Sequence, residues 1–169
     1  MAQLAQRLGL DLADPLACNA ELAADPVGYR MFAHDATVCV TTDLGFVPEV
    51  VVPHFRDNDL LILEANHDEE MLQAGPYPSF LKRRVLGQHG HLSNAATGRA
   101  LAACGERVPP DVWLAHLSHV NNTPTLAARH VNSHLTAAGL EHVRVAVTRR
   151  NQCGLHWSSE PRMTQLRLF

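Results

Sequence analysis

Apolar residues in this chain fall in short dense runs separated by longer mixed stretches, and the runs are of two kinds. Leu60-Leu-Ile-Leu-Glu64 and Asp111-Val-Trp-Leu-Ala115 are almost continuously apolar, the mark of strands buried on both faces. Tyr29 to Phe32 and Thr37 to Thr42 are also strand-like, and the short link Ala33-His34-Asp35-Ala36 between them predicts a hairpin. Val143 to Val147 supplies a last strand. Elsewhere the spacing is helical. Glu69 to Gln73 predicts one turn and Tyr77 to Leu86 a helix. Ser93 is a good N-cap for a helix over Ala95 to Ala103, with Gly105 suited to its C-terminal side. Pro124 opens a helix that carries Ala128, Val131, Leu135 and Ala138 on one face and stops at Gly139. Leu4 and Leu8 predict a short helix over residues 1–9, whereas Asp11 to Pro26 is rich in Ala, Asp and Pro and reads as an irregular connection. Val47 to Arg56 suits a strand by its valines and a short helix by its spacing. Strands that alternate with helices argue for an α/β layer.

With 169 residues, 46% of them hydrophobic and 18% charged, the chain is long enough for one globular domain with a real core. A net charge of −3 does not advertise the basic surface of a general nucleic-acid binder. Lys82-Arg83-Arg84 is the best local patch, although such a run on a helix usually forms a solvated face. Cys18, Cys39, Cys104 and Cys153 are scattered and form no Cys-x-x-Cys pair. They read as thiols in a reducing compartment. The first residues lack an apolar signal core, and no apolar run approaches the length of a membrane span, so the expected location is the cytoplasm and no membrane partner is expected.

Chemistry concentrates where runs end. Glu64-Ala-Asn-His-Asp68, Gly90-His-Leu-Ser-Asn94 and His116-Leu-Ser118 each set a histidine beside small polar residues, directly after an apolar run or a glycine. Upstream, Val38-Cys-Val-Thr-Thr42 runs into Asp43-Leu-Gly45. One aspartate and several histidines at strand ends are the raw material of a metal-dependent hydrolase.

Thr41-Thr-Asp-Leu-Gly45, Leu63-Glu-Ala-Asn-His-Asp-Glu-Glu-Met-Leu72, Gly75-Pro-Tyr-Pro78, Leu81-Lys-Arg-Arg-Val85, Gly90-His-Leu-Ser-Asn94 and Ala115-His-Leu-Ser-His-Val-Asn-Asn122 occur in this order. Together, from about Asp25 to about Val147, they resemble the metallo-β-lactamase superfamily, and more narrowly its WalJ-type (YycJ-like) exonuclease branch. The resemblance implies an αββα sandwich and two-metal phosphodiester hydrolysis of nucleic acid. In that pattern Asp43 matches the aspartate that bridges two metals, and His116 the last metal-binding histidine. His67 matches a proton donor to the leaving oxygen, with Asp68 holding its tautomer. His91 is placed to position a phosphate or a metal-bound water. Asn94, Asn121 and Asn122 fall in the segments that order the loops and meet substrate.

The pattern is incomplete. No His-x-His-x-Asp-His run exists in the chain, and Glu21 stands where relatives carry another metal histidine. The implied fold class is therefore α/β, the C-terminal half of the sandwich: one mixed sheet with helices on one face. Residues 1–24 form an irregular segment, 25–148 the partial domain and 149–169 a tail. The implied metal ligands are Asp43, His116 and Glu21, and the cofactor is a divalent metal, zinc or manganese. The implied function is a metal-dependent, exonuclease-like phosphodiesterase, incomplete in this chain. The alternatives are a non-catalytic remnant or binding module, or one half of a split enzyme. Implied partners are nucleic acid and, to cover the second face of the sheet, a second copy or a separately encoded N-terminal half. Asp43, His67, His91 and His116 are expected to meet at one end of the sheet.

Overall fold

The computed structural model describes residues 19–22, 28–33, 36–149 and 154–159, the side chains of 19–22 and 33 excepted. Six strands form one mixed sheet in chain order: β1 (Asn19–Leu22), β2 (Gly28–Ala33), β3 (Ala36–Thr41), β4 (Leu60–Glu64), β5 (Asp111–Ala115) and β6 (Arg144–Val147). β1, β2 and β3 pair antiparallel, and β3 to β6 run parallel. Each parallel step needs a crossover, and the helices provide it. α1 (Val52–Phe55) lies between β3 and β4. α2 (Glu69–Ala74), α3 (Ser79–Val85), α4 (Asn94–Ala102) and a 3-10 turn (Gly105–Arg107) lie between β4 and β5, and α5 (Pro124–Ala137) lies between β5 and β6.

The expected hairpin is present, and the two apolar runs are the central strands, with all five residues of β4 buried. The ambiguous valine stretch resolves as the short α1, with Pro53 in its first turn. β1 was not expected, since Asn-Ala-Glu-Leu has little strand propensity; its register opposite β2, Glu21 facing Arg30, is a tertiary contribution. Side-chain caps start three helices where the residues invite them, with Asp68, Ser93 and Thr123 accepting from the backbone N–H three residues on. Gly139 ends α5 with a φ of 73°. α4 stops at Ala102, and Gly105, with a φ of 62°, opens the 3-10 turn instead of capping the helix directly. The helix expected over residues 1–9 lies outside the described residues, as do Cys18 and Cys153; Cys39 and Cys104 are free and buried, and burial pushes the Cys104 thiol up to about 11.

Alternation along the strands divides the core in two. Cys39, Leu61, Leu63, Val112 and Leu114 face the helices and pack with Phe55, Leu101, Ala127, Val131 and Leu135. Val38, Val40, Leu60, Ile62, Trp113 and Ala115 occupy the opposite face. That second face was expected to need another chain to cover it. Its residues are nevertheless buried within this one, with Met31, Ala146, Leu155 and Trp157 packed against them. Trp157 is held there by its indole N–H, which donates to Asp111 at 3.0 Å. No helix among the described residues is long and apolar enough to cross a membrane.

The link from α3 to α4 is wound tightly, with Gly90 N–H donating to Gly87 and His91 N–H to Val85, each at 2.9 Å. A Cβ on Gly90 would collide with the backbone carbonyls of Arg84 and Val85, neither of which can swing aside as a side chain does. Gly90→Ala is therefore expected to lower stability by about 1–3 kcal/mol. Urea unfolding of the two proteins measures it.

Candidate metal centre

Glu64 closes the apolar run of β4 and is fully buried, with 0% exposure. A carboxylate there needs partners, because removing it from water without them costs several kcal/mol. It has them. The Nδ1 atoms of His91 and His116 both lie 2.8 Å from Glu64 Oε1. On the other oxygen, the Leu44 N–H donates at 2.9 Å and the Leu92 N–H at 3.5 Å. The two imidazoles meet edge to face, 5.1 Å apart. Asp43 Oδ1 completes the group, 3.6 Å from each Nδ1.

Asp43, Glu64, His91 and His116 each offer one ligand atom, and these atoms lie within 4.8 Å of one another. Zinc with bonds of roughly 2.0 Å needs tetrahedral edges of about 3.3 Å. Four of the six separations, at 2.8 and 3.6 Å, bracket that length and all six lie within 4.8 Å, so the donor set suits a small divalent cation once the side chains draw in. Glu64 forms the floor of the group, and Asp43, whose side chain is 63% exposed, stands at its mouth.

The parallel sheet explains why distant residues meet. Asp43, Glu64 and His116 lie at the C-terminal ends of β3, β4 and β5, three adjacent strands. Ligands of open α/β sheets bind at such ends. His91 arrives on the loop before α4. That loop is stitched to the end of β4 by Asn66 N–H to Leu92 O and Asn94 N–H to His67 O, while Thr97 Oγ1 donates to the Glu64 carbonyl at 2.6 Å. Asp43 and His116 both have left-handed backbones, with φ of 63° and 58°. Non-glycine residues rarely adopt this conformation, which costs on the order of 1–3 kcal/mol. The Asn66 amide steadies the His116 turn by donating to its carbonyl at 2.8 Å.

The remaining candidates fall into three places. His67 is 1% exposed, and neither of its ring nitrogens has a partner. Desolvation holds its pKa below the ordinary value, against the opposing pull of Glu69 and Glu64. Asp68 does not hold its tautomer as expected; its carboxylate caps α2 through the Met71 N–H and lies 3.6 Å from His130. Asn94 and Asn122 are buried and exchange amide hydrogen bonds at 3.0 and 2.8 Å, while Asn122 also donates to the carbonyls of Ala65 and Asn66. Asn121 is buried, and its backbone carbonyl accepts from the Asp68 N–H. These amides hold the loops together from inside. Glu21 lies on the outer strand β1, level with Cys39 and hence with Leu61, three residues before Glu64. Its side chain is outside the described residues. Glu64 was not singled out as a site residue in sequence, although a lone carboxylate ending a run buried on both faces signals a paired charge.

No family model matches the sequence. Over 117 residues the chain is 33% identical to "Exodeoxyribonuclease YycJ" of Bacillus anthracis, covering 69% of this chain and 44% of that protein. Over 118 residues it is 34% identical to "Exodeoxyribonuclease WalJ" of Streptococcus pneumoniae, covering 70% of this chain and 44% of that protein. The chain thus spans less than half the length of these relatives. Among solved structures, the metallo-β-lactamase fold protein YhfI from Bacillus subtilis matches with a TM-score of 0.50 at 17% identity, over 78% of this chain and 45% of that chain. The sheet and its crossovers are those of a metallo-β-lactamase-fold protein. Within that class, the sequence is similar to the exodeoxyribonucleases of the WalJ and YycJ type.

Two outcomes follow from the site. Glu64→Gln keeps the shape but sets an NH2 group against either the Leu44 N–H or both imidazoles, leaving donors without an acceptor, and is expected to cost about 1–3 kcal/mol in chemical denaturation. His67, held below its ordinary value of 6.5, stays neutral in the fold while the unfolded chain takes up a proton. Stability is therefore complete above that value and falls as the pH drops through the folded-state value. Part of the acid loss of thermal stability should vanish in His67→Phe, as melting temperatures across that range will show.

Proposed function

We propose that this chain provides part of the centre of a divalent-metal-dependent phosphodiesterase that acts on DNA ends. The observation that carries the reading is the convergence of Asp43, His91 and His116 on the buried carboxylate of Glu64. The relatives' names supply the substrate class. In this reading Asp43, Glu64, His91 and His116 would hold the metal together, Glu64 from beneath. A zinc or manganese ion held there supplies the Lewis-acid charge that phosphodiester hydrolysis requires.

The protein's own groups do the rest. Glu64 fixes the ring orientations, and the left-handed turns at Asp43 and His116 bring their side chains to the site. A two-metal centre needs more ligands than these. The partners in this reading are nucleic acid and, as the source of those ligands, a separately encoded N-terminal half or a second copy. Cys39 and Cys104, free and buried, suit a reducing compartment, for which we propose the cytoplasm.

Zinc and manganese titrations of the purified chain, with DNA digestion assays in parallel, test the reading. Saturable binding is expected, lowered at least tenfold by Asp43→Ala or His116→Ala. Hydrolysis by the isolated chain is expected to be weak. Metal binding that is absent, or indifferent to both substitutions, would leave a non-catalytic binding module as the better description.

A further inference from the structure

A cavity of about 450 Å³ opens beside the ligand group, between the loop after β3 and helix α4. His91 belongs to both. The walls mix apolar residues, Phe46, Leu86 and Ala100 among them, with polar ones, and Phe46 is 50% exposed. Two acids, Glu49 and Glu69, also line the cavity against a single cation, Arg99. That balance disfavours a second phosphate.

His67 lies against this cavity, buried, with both ring nitrogens unpartnered. An unsatisfied buried polar group costs about 1–3 kcal/mol, and a neutral imidazole offers one donor and one acceptor. We propose that the cavity receives the base of the DNA residue whose phosphodiester lies at Asp43, His91 and His116. The Phe46 ring stacks on the base, and the His67 ring, whose nitrogens are closed off from solvent in this structure, rotates to meet its hydrogen-bonding edge. Apolar surface interleaved with polar groups that fix orientation is the make-up of a small-molecule site, and aromatic stacking accepts any base. The inference rests on the function proposed above and adds where the substrate is gripped.

The test is calorimetric titration of the 169-residue protein with 2′-deoxyadenosine in the presence of a chelator. The probe has no phosphate and the solution no free metal, so the result is independent of metal binding and hydrolysis. Saturable binding is expected, weakened about fivefold or more by Phe46→Ala, a range set by stacking worth about 1–3 kcal/mol. His67→Phe keeps the ring shape, removes both nitrogens, and is expected to abolish binding while the melting temperature at neutral pH stays level or rises. Undetectable binding, or binding unchanged in Phe46→Ala, overturns the proposal. A lower melting temperature in His67→Phe would show the imidazole to be structural and overturn its role. Because Phe46 is half exposed, its variant decides the matter even where His67→Phe does not fold.

Discussion

One buried carboxylate organises the functional end of this protein. Glu64 sits where the central strand runs out, and every loop that carries a candidate ligand is tied to it. The loop after β3 reaches it through the Leu44 N–H, and the loops carrying His91 and His116 through their imidazoles. A buried charge is expensive to strand and strongly held once paired. The same atoms that satisfy Glu64 therefore bring three separate segments to one point.

Around that point the backbone departs from easy conformations. Among the described residues, three non-glycine residues have positive φ, and two of them are Asp43 and His116. The amide groups of Asn66, Asn94 and Asn122 lie behind these turns and link the loops to one another. Such a layer of buried, mutually satisfied amides is rigid, since each broken bond leaves a partner unpaired. Strain at the ligands and stiffness behind them belong to the same design: the second keeps the first from relaxing.

Much of this architecture is legible in the sequence. The strands with continuous apolar runs and the helices with side-chain caps stand out because their signals are local. β1 does not, because Asn-Ala-Glu-Leu has little strand propensity of its own. Asp43 and His116 stand out through resemblance, and the cluster that contains them together with His91 lies at the expected end of the sheet. Glu64 was quoted in a motif yet passed over, since a strand-ending glutamate is usually solvated. Only the burial of its neighbours on both sides, together with two histidines far along the chain, makes it the centre. The expected bare face of the sheet was also read too simply. Helix periodicity says nothing of the segment with Leu155 and Trp157, which packs there without regular structure.

The order of the strands has a consequence for how the site comes into being. In a sheet laid down in chain order, each parallel neighbour is added only after an intervening crossover has been closed. Residues 43, 64, 91 and 116 are far apart along the chain, and no two share an element. Contacts of such long separation form late, after loop-closure entropy has been overcome. A nascent or partly unfolded chain that lacks β5 against β4 would have its helices capped, yet its ligand group would be short of His116. The complete donor cluster is thus a reporter of complete folding: an intermediate short of the native sheet lacks at least one of its four ligands.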